Sequence, residues 1–392
     1  MKIRLWSVAL AAAFVVLAVS AACAPGTAGE GRTSVLAFAE GMQEGYINWY
    51  GRTLHEGGAV IADNAASGFE VTFYGTSLQM DYRSEAYDNA ANQLGWLEDG
   101  YLSVLADGAD PADEETFVRM PLAETAQALI LAADLEEGRH TFRVFKATEG
   151  LCTSWEVVGL RTDGYFLAPP DRPEYKIEVI GDSILAGNGA QRDIGEAERG
   201  STAQENALRS YGCTAARLLG AEVNVFAVSG GCVGRYPQIA GANVLPELYG
   251  RAFPNRPDER RYFWDFTRCI PDAVIVDLGT NDLLAGLSGG MSEEDLLSSL
   301  QEQYRAFLGT LRDRYPDAAI FVCCGVYNHQ DPTRPIQIGA YNHVFAAIAS
   351  GLDNVWCYAF ENCRSGHPDG EEHAAYAAEL AEYMQTVLSW PV

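Results

Sequence analysis

The chain has 392 residues, roughly two domains' worth, and 48% hydrophobic against 20% charged residues is enough to build ordinary cores and too much for a disordered chain. Its formal net charge of -26 leaves no Lys/Arg surplus to neutralise phosphates, which excludes nucleic acid as a partner. The acidity itself reads as a soluble surface.

The first 23 residues have the layout of an export signal. Lys2 and Arg4 open the chain, Leu5 to Val19 is an uncharged and mostly apolar run, and Ser20, Ala21 and Ala22 precede Cys23. The run is short for a membrane span. Small residues before a Cys resemble a bacterial lipoprotein signal, so Cys23 is the expected lipidation site and a means of membrane attachment. Cleavage near Ala22 is the alternative, because Ser20 stands where lipoprotein signals usually carry Leu. Either way the expected location is extracellular or at the cell surface. Residues 24–32 read as a flexible tether.

Residues 33–170 read as an all-β sandwich. Short alternating runs such as Phe69–Tyr74, Leu78–Tyr82, Tyr101–Leu105 and His140–Phe145 are separated by Gly and Asp clusters. Ala168–Pro173 is a stiff, proline-rich junction and marks the expected boundary. From 171 to 392 the rhythm changes. Apolar runs at Lys176–Ile180, Val223–Val228, Ala273–Leu278, Ala319–Val326 and Val355–Phe360 are continuous, as expected for strands covered on both faces. Helix-like segments at Ala203–Leu219, Ser292–Arg314, Ile336–Ser350 and Gly370–Leu388 lie between and after them, with Ser292 and Asp295 set for an N-terminal cap. Alternation of this kind predicts an α/β domain with a parallel sheet.

Eight cysteines follow Cys23: Cys152, Cys213, Cys232, Cys269, Cys323, Cys324, Cys357 and Cys363. An exported chain permits disulfides, and their pairing cannot be read from sequence. Cys323 and Cys324 lie in an apolar run and read as buried thiols. Cys357 and Cys363 are near enough in sequence to pair. No C-x-x-C spacing suggests zinc, and no metal or cofactor is expected.

In an open parallel sheet, ligands gather at the carboxyl ends of the strands. The five predicted strands are followed in turn by Gly181-Asp-Ser183, Ser229-Gly-Gly231, Gly279-Thr-Asn-Asp282, Tyr327-Asn-His329 and Ser365-Gly-His-Pro368. One edge therefore collects a Ser, a Gly-rich turn, an Asn amide and a His. A serine hydroxyl needs a neighbouring base, and imidazole suits that near neutral pH. A Gly lets a backbone N–H approach an oxyanion, and an Asn amide supplies a further donor. These are the parts of acyl transfer.

Those blocks resemble the Ser-Gly-Asn-His (GDSL-like) hydrolases, with Gly181-Asp-Ser183-Ile184 as the first block, Gly230 in the second, Asn281 in the third and His367 in the last. The resemblance implies a flavodoxin-like five-stranded sheet, Ser183 as nucleophile, His367 as base, and an oxyanion hole from Gly230, Asn281 and the Ser183 N–H. Gly138–Lys146 followed by Glu149, Lys176–Ser183 and Trp264-Asp-Phe266 are similar to carbohydrate esterase family 2. That finer resemblance implies a jelly-roll-like sandwich before the hydrolase domain and deacetylation of acetylated plant cell-wall sugars. The superfamily's usual acid, three residues before the His, is here Arg364. Family 2 enzymes are similar in lacking it, which implies a Ser–His dyad oriented by a backbone carbonyl. Glu361 and Asp369 are the alternatives.

Trp264 is a candidate sugar platform or else a packing residue, and Asp282 is a second candidate for substrate contact. Asp182 is expected to support the nucleophile turn by hydrogen bonding. Gly286-Leu-Ser-Gly-Gly290 has the letters of a nucleophile elbow without the preceding strand, and reads as a flexible loop. His373, six residues after His367, is off the spacing that places two metal ligands on one helix face, and reads as a solvated helix start. Two other functions stay open: a lipid or lysophospholipid esterase, and a carbohydrate-binding surface protein with a degenerate hydrolase domain.

Overall fold

The computed structural model describes residues 32–85, 100–111, 113, 116–122, 125–151, 153–193, 196, 201–236, 243–256, 262–329, 336–361 and 366–390. The expected export signal with Cys23, as well as Cys152, Cys363, Arg364 and Ser365, lies outside the described residues.

Between 33 and 170 the alternating runs form two antiparallel sheets. One orders Leu54–Glu56, Ala59–Ile61, Glu156–Thr162, Leu78–Ser84 and Thr125–Ala132 side by side, and the other orders Tyr165–Leu167, Gly68–Gly75, Gly138–Lys146, Gly100–Ala106 and Phe117–Leu122. Alternation along these strands sends Phe69, Val71 and Phe73 inward to meet Met80 and Leu160 of the facing sheet, together with Trp155 just ahead of its Glu156–Thr162 strand, in one core. This is the two-sheet sandwich that the period-2 pattern predicts.

The second half carries a five-stranded parallel sheet of β1 (Lys176–Gly181), β2 (Glu222–Ala227), β3 (Ala273–Asp277), β4 (Ala319–Cys324) and β5 (Val355–Ala359). Its order is β2-β1-β3-β4-β5, the flavodoxin-like arrangement. Its helices include α1 (Ser183–Ala186), α2 (Tyr211–Leu218), α3 (Thr280–Ser288), α4 (Glu293–Arg314), α5 (Asn342–Ala349) and α6 (Gly370–Leu388), with a single turn at Leu245–Leu248 besides. Both faces of the central strands are covered, and apart from Glu178 in β1 the residues packed there are mostly apolar. Ile177, Val179 and Ile275 pack with Tyr211, Ala215 and Leu380 of α2 and α6, while Ile180, Val274 and Val276 pack with Leu300, Phe307 and Phe345 of α4 and α5. Burying each such side chain contributes about 1.5–3 kcal/mol.

Helix starts follow the sequence closely where a cap is written into it. Ser292 caps α4, its Oγ accepting from the Asp295 N–H at 3.1 Å, and α6 begins at Gly370 behind a reciprocal cap between Asp369 and Glu372. The segment predicted as one helix from Ala203 is instead two short 3-10 turns, Thr202–Gln204 and Ala207–Arg209, before α2. Asn206 between them is extended and turns its side chain to the Leu208 N–H, which breaks the run. Similarly, the predicted helix from Ile336 begins only at Asn342.

Residues 33–392 form one compact unit, and buried side chains of the sandwich reach into the hydrolase half. Arg52 donates to the carbonyls of Tyr249 and Arg251, both at 2.7 Å, and to Glu178 in the middle of β1 at 3.0 Å. Cys323 and Cys324 are buried free thiols, as their apolar context predicts, and Cys357 is a free thiol as well.

Candidate active site

The strand order places the crevice between β1 and β3, where the chain leaves in opposite directions. Ser183 leaves β1 there. It is the first residue of α1, whose N-cap is Asp182, with Oδ1 accepting from the Ile184 N–H at 3.0 Å. Asp182 thus supports the nucleophile turn, as expected. A first-turn helix N–H has no intrahelical acceptor, so the Ser183 N–H is available to a ligand.

His367 stands in the loop ahead of α6, and its Nε2 lies 2.7 Å from Ser183 Oγ. With Nε2 unprotonated, the hydroxyl donates to it. Arg192 holds the loop by donating to the His367 carbonyl at 2.5 Å, and Tyr327 meets the imidazole edge-on at 5.4 Å between ring centres. Gly189 lets the loop come close. Its φ is +84°, and a Cβ there would sit 2.4 Å from the Pro368 carbonyl oxygen. Asp369 is committed to the cap of α6, accepting from the Glu372 N–H at 3.0 Å.

Gly230 is exposed, with φ at +71°. An added Cβ would meet nothing within 4 Å, so this glycine serves backbone conformation rather than space. Among the described residues its N–H has no hydrogen-bond acceptor in the protein. Asn281, in the first turn of α3, is half-buried and lies over the other two blocks. Its Nδ2 donates to Asp182 at 3.0 Å and to the Gly231 carbonyl at 3.1 Å. Ser183, Gly230, Asn281 and His367 therefore come together from four separate segments.

Two candidates are corrected. Asp282 is fully buried and accepts from the N–H groups of Val233 and Gly234, so it fixes the turn after Gly230 instead of touching a substrate. Burial pushes its carboxyl up to about 6, against the pull of those donors. Trp264 is 6% exposed and packs with Ile61, Phe253 and Tyr262, with the guanidinium groups of Arg52 and Arg268 nearby. Its burial fits the packing residue of the two readings.

Two further expectations change. His373 is not solvated: it is fully buried where α6 packs on α2, and its Nδ1 accepts from the Tyr211 N–H at 3.1 Å. Burial holds its imidazole down to about 3. Gly286 to Ser288 belong to the last turn of α3 rather than to a loop, which still leaves no strand before them and no elbow. His329 ends a two-residue strand paired with Ile336.

Beneath the nucleophile, Asp182 and Asp277 are both buried. Desolvation, and for Asp182 the neighbouring Asp277, raise their carboxyls well above the ordinary range. The Tyr211 hydroxyl donates to Asp277 at 2.6 Å and opposes that rise.

A buried carboxylate from outside the four blocks also reaches this edge. Glu149, from the sandwich, accepts from the Ser229 N–H at 2.7 Å and from the Ser229 hydroxyl. The only signal for it was its place after the Gly138–Lys146 run.

Fold, block order and geometry together define a serine hydrolase-like domain carried behind a β-sandwich. The chain belongs to the GDSL-like Lipase/Acylhydrolase family, whose profile matches residues 179–384, and residues 49–170 match the Carbohydrate esterase 2 N-terminal family. Among curated proteins it is 27% identical over 263 residues to the cellulase/esterase CelE of Acetivibrio thermocellus, covering 67% of this chain and 28% of that protein. It is 29% identical over 238 residues to an acetylxylan esterase / glucomannan deacetylase of Cellvibrio japonicus, covering 58% of this chain and 62% of the other. The chain thus spans between 28% and 62% of the length of these two relatives. A family two carbohydrate esterase from Clostridium thermocellum, solved in complex with cellohexaose, has the same fold, with a TM-score of 0.72 at 24% identity, covering 88% of this chain and all of that one.

Proposed function

We propose that the chain is a serine esterase that removes O-acetyl groups from extracellular oligo- or polysaccharides of plant cell-wall type. The observation that carries this reading is the 2.7 Å approach of His367 Nε2 to Ser183 Oγ at the switch point of the sheet. The names of the related proteins, acetylxylan esterase and glucomannan deacetylase, support the acetyl-sugar substrate.

In this reading Ser183 Oγ attacks the acetyl carbonyl while His367 takes its proton. The oxyanion is held by the N–H groups of Ser183 and Gly230 and by the Asn281 amide, which turns from one of its two resting acceptors to do so. His367 then returns the proton to the departing sugar oxygen. Water, deprotonated by His367, attacks the acyl-enzyme and releases acetate. Losing one oxyanion donor typically costs about 10²–10³ in turnover. In this reading Ser183 and His367 act as a dyad, which the engagement of Asp369 Oδ1 in the cap of α6 supports.

The reading includes a sandwich domain to residue 170, a hydrolase domain from 171, and attachment to the cell surface through lipidated Cys23. Metabolic labelling with a radioactive fatty acid checks the last point. Label lost on Cys23→Ala supports it, and an unlabelled wild type overturns it.

The enzymatic test is the initial rate on 4-nitrophenyl esters from acetyl to octanoyl, with Ser183→Ala and His367→Ala alongside, followed by acetylated xylan and glucomannan. Acetyl preference abolished by both substitutions is expected. Preference for octanoyl would assign the site to lipid esters, and glycan binding without turnover would make the chain a binding protein.

A further inference from the structure

Deepening the esterase reading and resting on it, we infer that Glu149 is a positioning residue for the oxyanion hole, so that the sandwich supplies part of the scaffold of the active site. Glu149 is contributed by the loop that follows the strand Gly138–Lys146, yet its carboxylate is buried against Ser229 in the second block of the hydrolase half.

Ser229 is pinned at every polar atom. Its N–H and its hydroxyl both donate to Glu149. Its Oγ accepts from Asn188 Nδ2 at 3.0 Å, and its carbonyl accepts from Asn243 Nδ2 at 2.9 Å. The peptide that joins Ser229 to Gly230 is planar and trans, so its N–H points opposite to its carbonyl. Anchoring the Ser229 carbonyl on Asn243 and the preceding N–H on Glu149 therefore sets the direction of the Gly230 N–H. Asn188 links the same hydroxyl to the nucleophile, because its own N–H donates to the Ser183 carbonyl at 3.0 Å. One carboxylate thus registers the oxyanion turn against the nucleophile turn.

The sandwich holds Glu149 firmly. Lys146, fully buried, donates through Nζ to the carbonyls of Asp63, Glu149 and Thr153 at 2.9, 3.0 and 2.6 Å, fixing the loop around it. From the hydrolase half, Glu205 accepts the Glu149 N–H at 2.5 Å. Both carboxyls are raised by burial, and Glu205 is raised further by Glu149. Glu149 accepts the Ser229 N–H on one carboxylate oxygen and the Ser229 hydroxyl on the other. Burying a carboxyl group is costly. Its placement beside the oxyanion turn gives that cost a use.

The test compares full-length wild type, Glu149→Gln, Glu149→Asp, Ser229→Ala and the Glu149→Gln/Ser229→Ala double variant on 4-nitrophenyl acetate, with thermal unfolding measured for each. A misplaced donor costs about 10²-fold when the error approaches 1 Å. Glu149→Gln keeps only one acceptor, so kcat is expected to fall about 10- to 100-fold with KM within about twofold. Ser229→Ala is expected to lose less, and the double variant to be no slower than Glu149→Gln, because both break one network. Glu149→Asp is expected to recover part of the loss.

A folded Glu149→Gln with kcat near wild type overturns the inference, as do losses that multiply in the double variant or an effect confined to KM. If Glu149→Gln does not fold, Ser229→Ala and Asn243→Ala carry the test from the hydrolase side: reduced kcat at constant KM supports positioning, and unchanged kcat overturns it. Wild type without esterase activity would sink the esterase reading and this inference together. Wild type active, Ser183→Ala inactive and Glu149→Gln fully active would remove this inference alone.

Discussion

Arg52 of the sandwich and Glu178 of β1 form an ion pair at 3.0 Å with both side chains fully buried. The guanidinium lies 4.1 Å from the centre of the Phe226 ring and 4.7 Å from that of Tyr249, while Tyr249 and Asn224 also donate to Glu178. The pair explains a charged residue in the middle of an otherwise apolar strand. Removing one partner leaves the other charge buried and uncompensated, at a cost of about 3–5 kcal/mol. Arg52→Met and Glu178→Gln are each expected to lower the denaturant midpoint strongly, and the double variant to lower it by less than the two combined. Additive losses would show that the two side chains act independently.

Gly189 is expected to be sensitive to a single methyl group. Its positive φ strains any other residue, and the Pro368 carbonyl occupies the space a Cβ would need. Gly189→Ala should push the His367 loop off Ser183 and lower kcat by about 10²-fold. A Gly189→Ala enzyme with unchanged kcat would show that the loop shifts without moving the imidazole.

Asp369 separates a dyad from a triad. Asn is also a good N-cap, so Asp369→Asn should keep both α6 and kcat, whereas Asp369→Ala should cost about 1 kcal/mol of stability with kcat retained. A fall of about 10⁴ in kcat for the Asn variant is what loss of an orienting carboxylate looks like, and would make Asp369 part of a triad.

His373 should make the fold acid-sensitive. Buried and held down to about 3, it stays neutral in the native protein, while in the unfolded chain it titrates near 6.5. The unfolded state therefore takes up a proton first. The stability this group contributes is complete above about 6.5 and is lost progressively as pH falls from there toward 3. Because Asp182, Asp277 and Asp282 are raised and act with the opposite sign, the check is a difference. Unfolding free energies of wild type and His373→Gln, measured from pH 7.5 to 4, should diverge, with the variant falling less steeply. Parallel curves would show that His373 is not the proton acceptor.

The sequence alone determined the two architectures and the order of the chemical blocks. Alternating runs make a sandwich, continuous apolar runs make a covered parallel sheet, and whatever follows such a strand must lie at its carboxyl edge. Ser183, Gly230, Asn281 and His367 were legible for that reason. Tertiary structure decided what each neighbour does. Asn281 and Asp282 are adjacent letters, but successive helix residues point about 100° apart, so one lies over the nucleophile block and the other is buried under the turn. Trp264, His373 and Glu149 look like ordinary surface or packing residues in one dimension. The burial of all three, the Tyr211 N–H that meets His373 and the Ser229 groups that meet Glu149 come from contacts between segments far apart in the chain, where desolvation makes an unpaired polar atom costly.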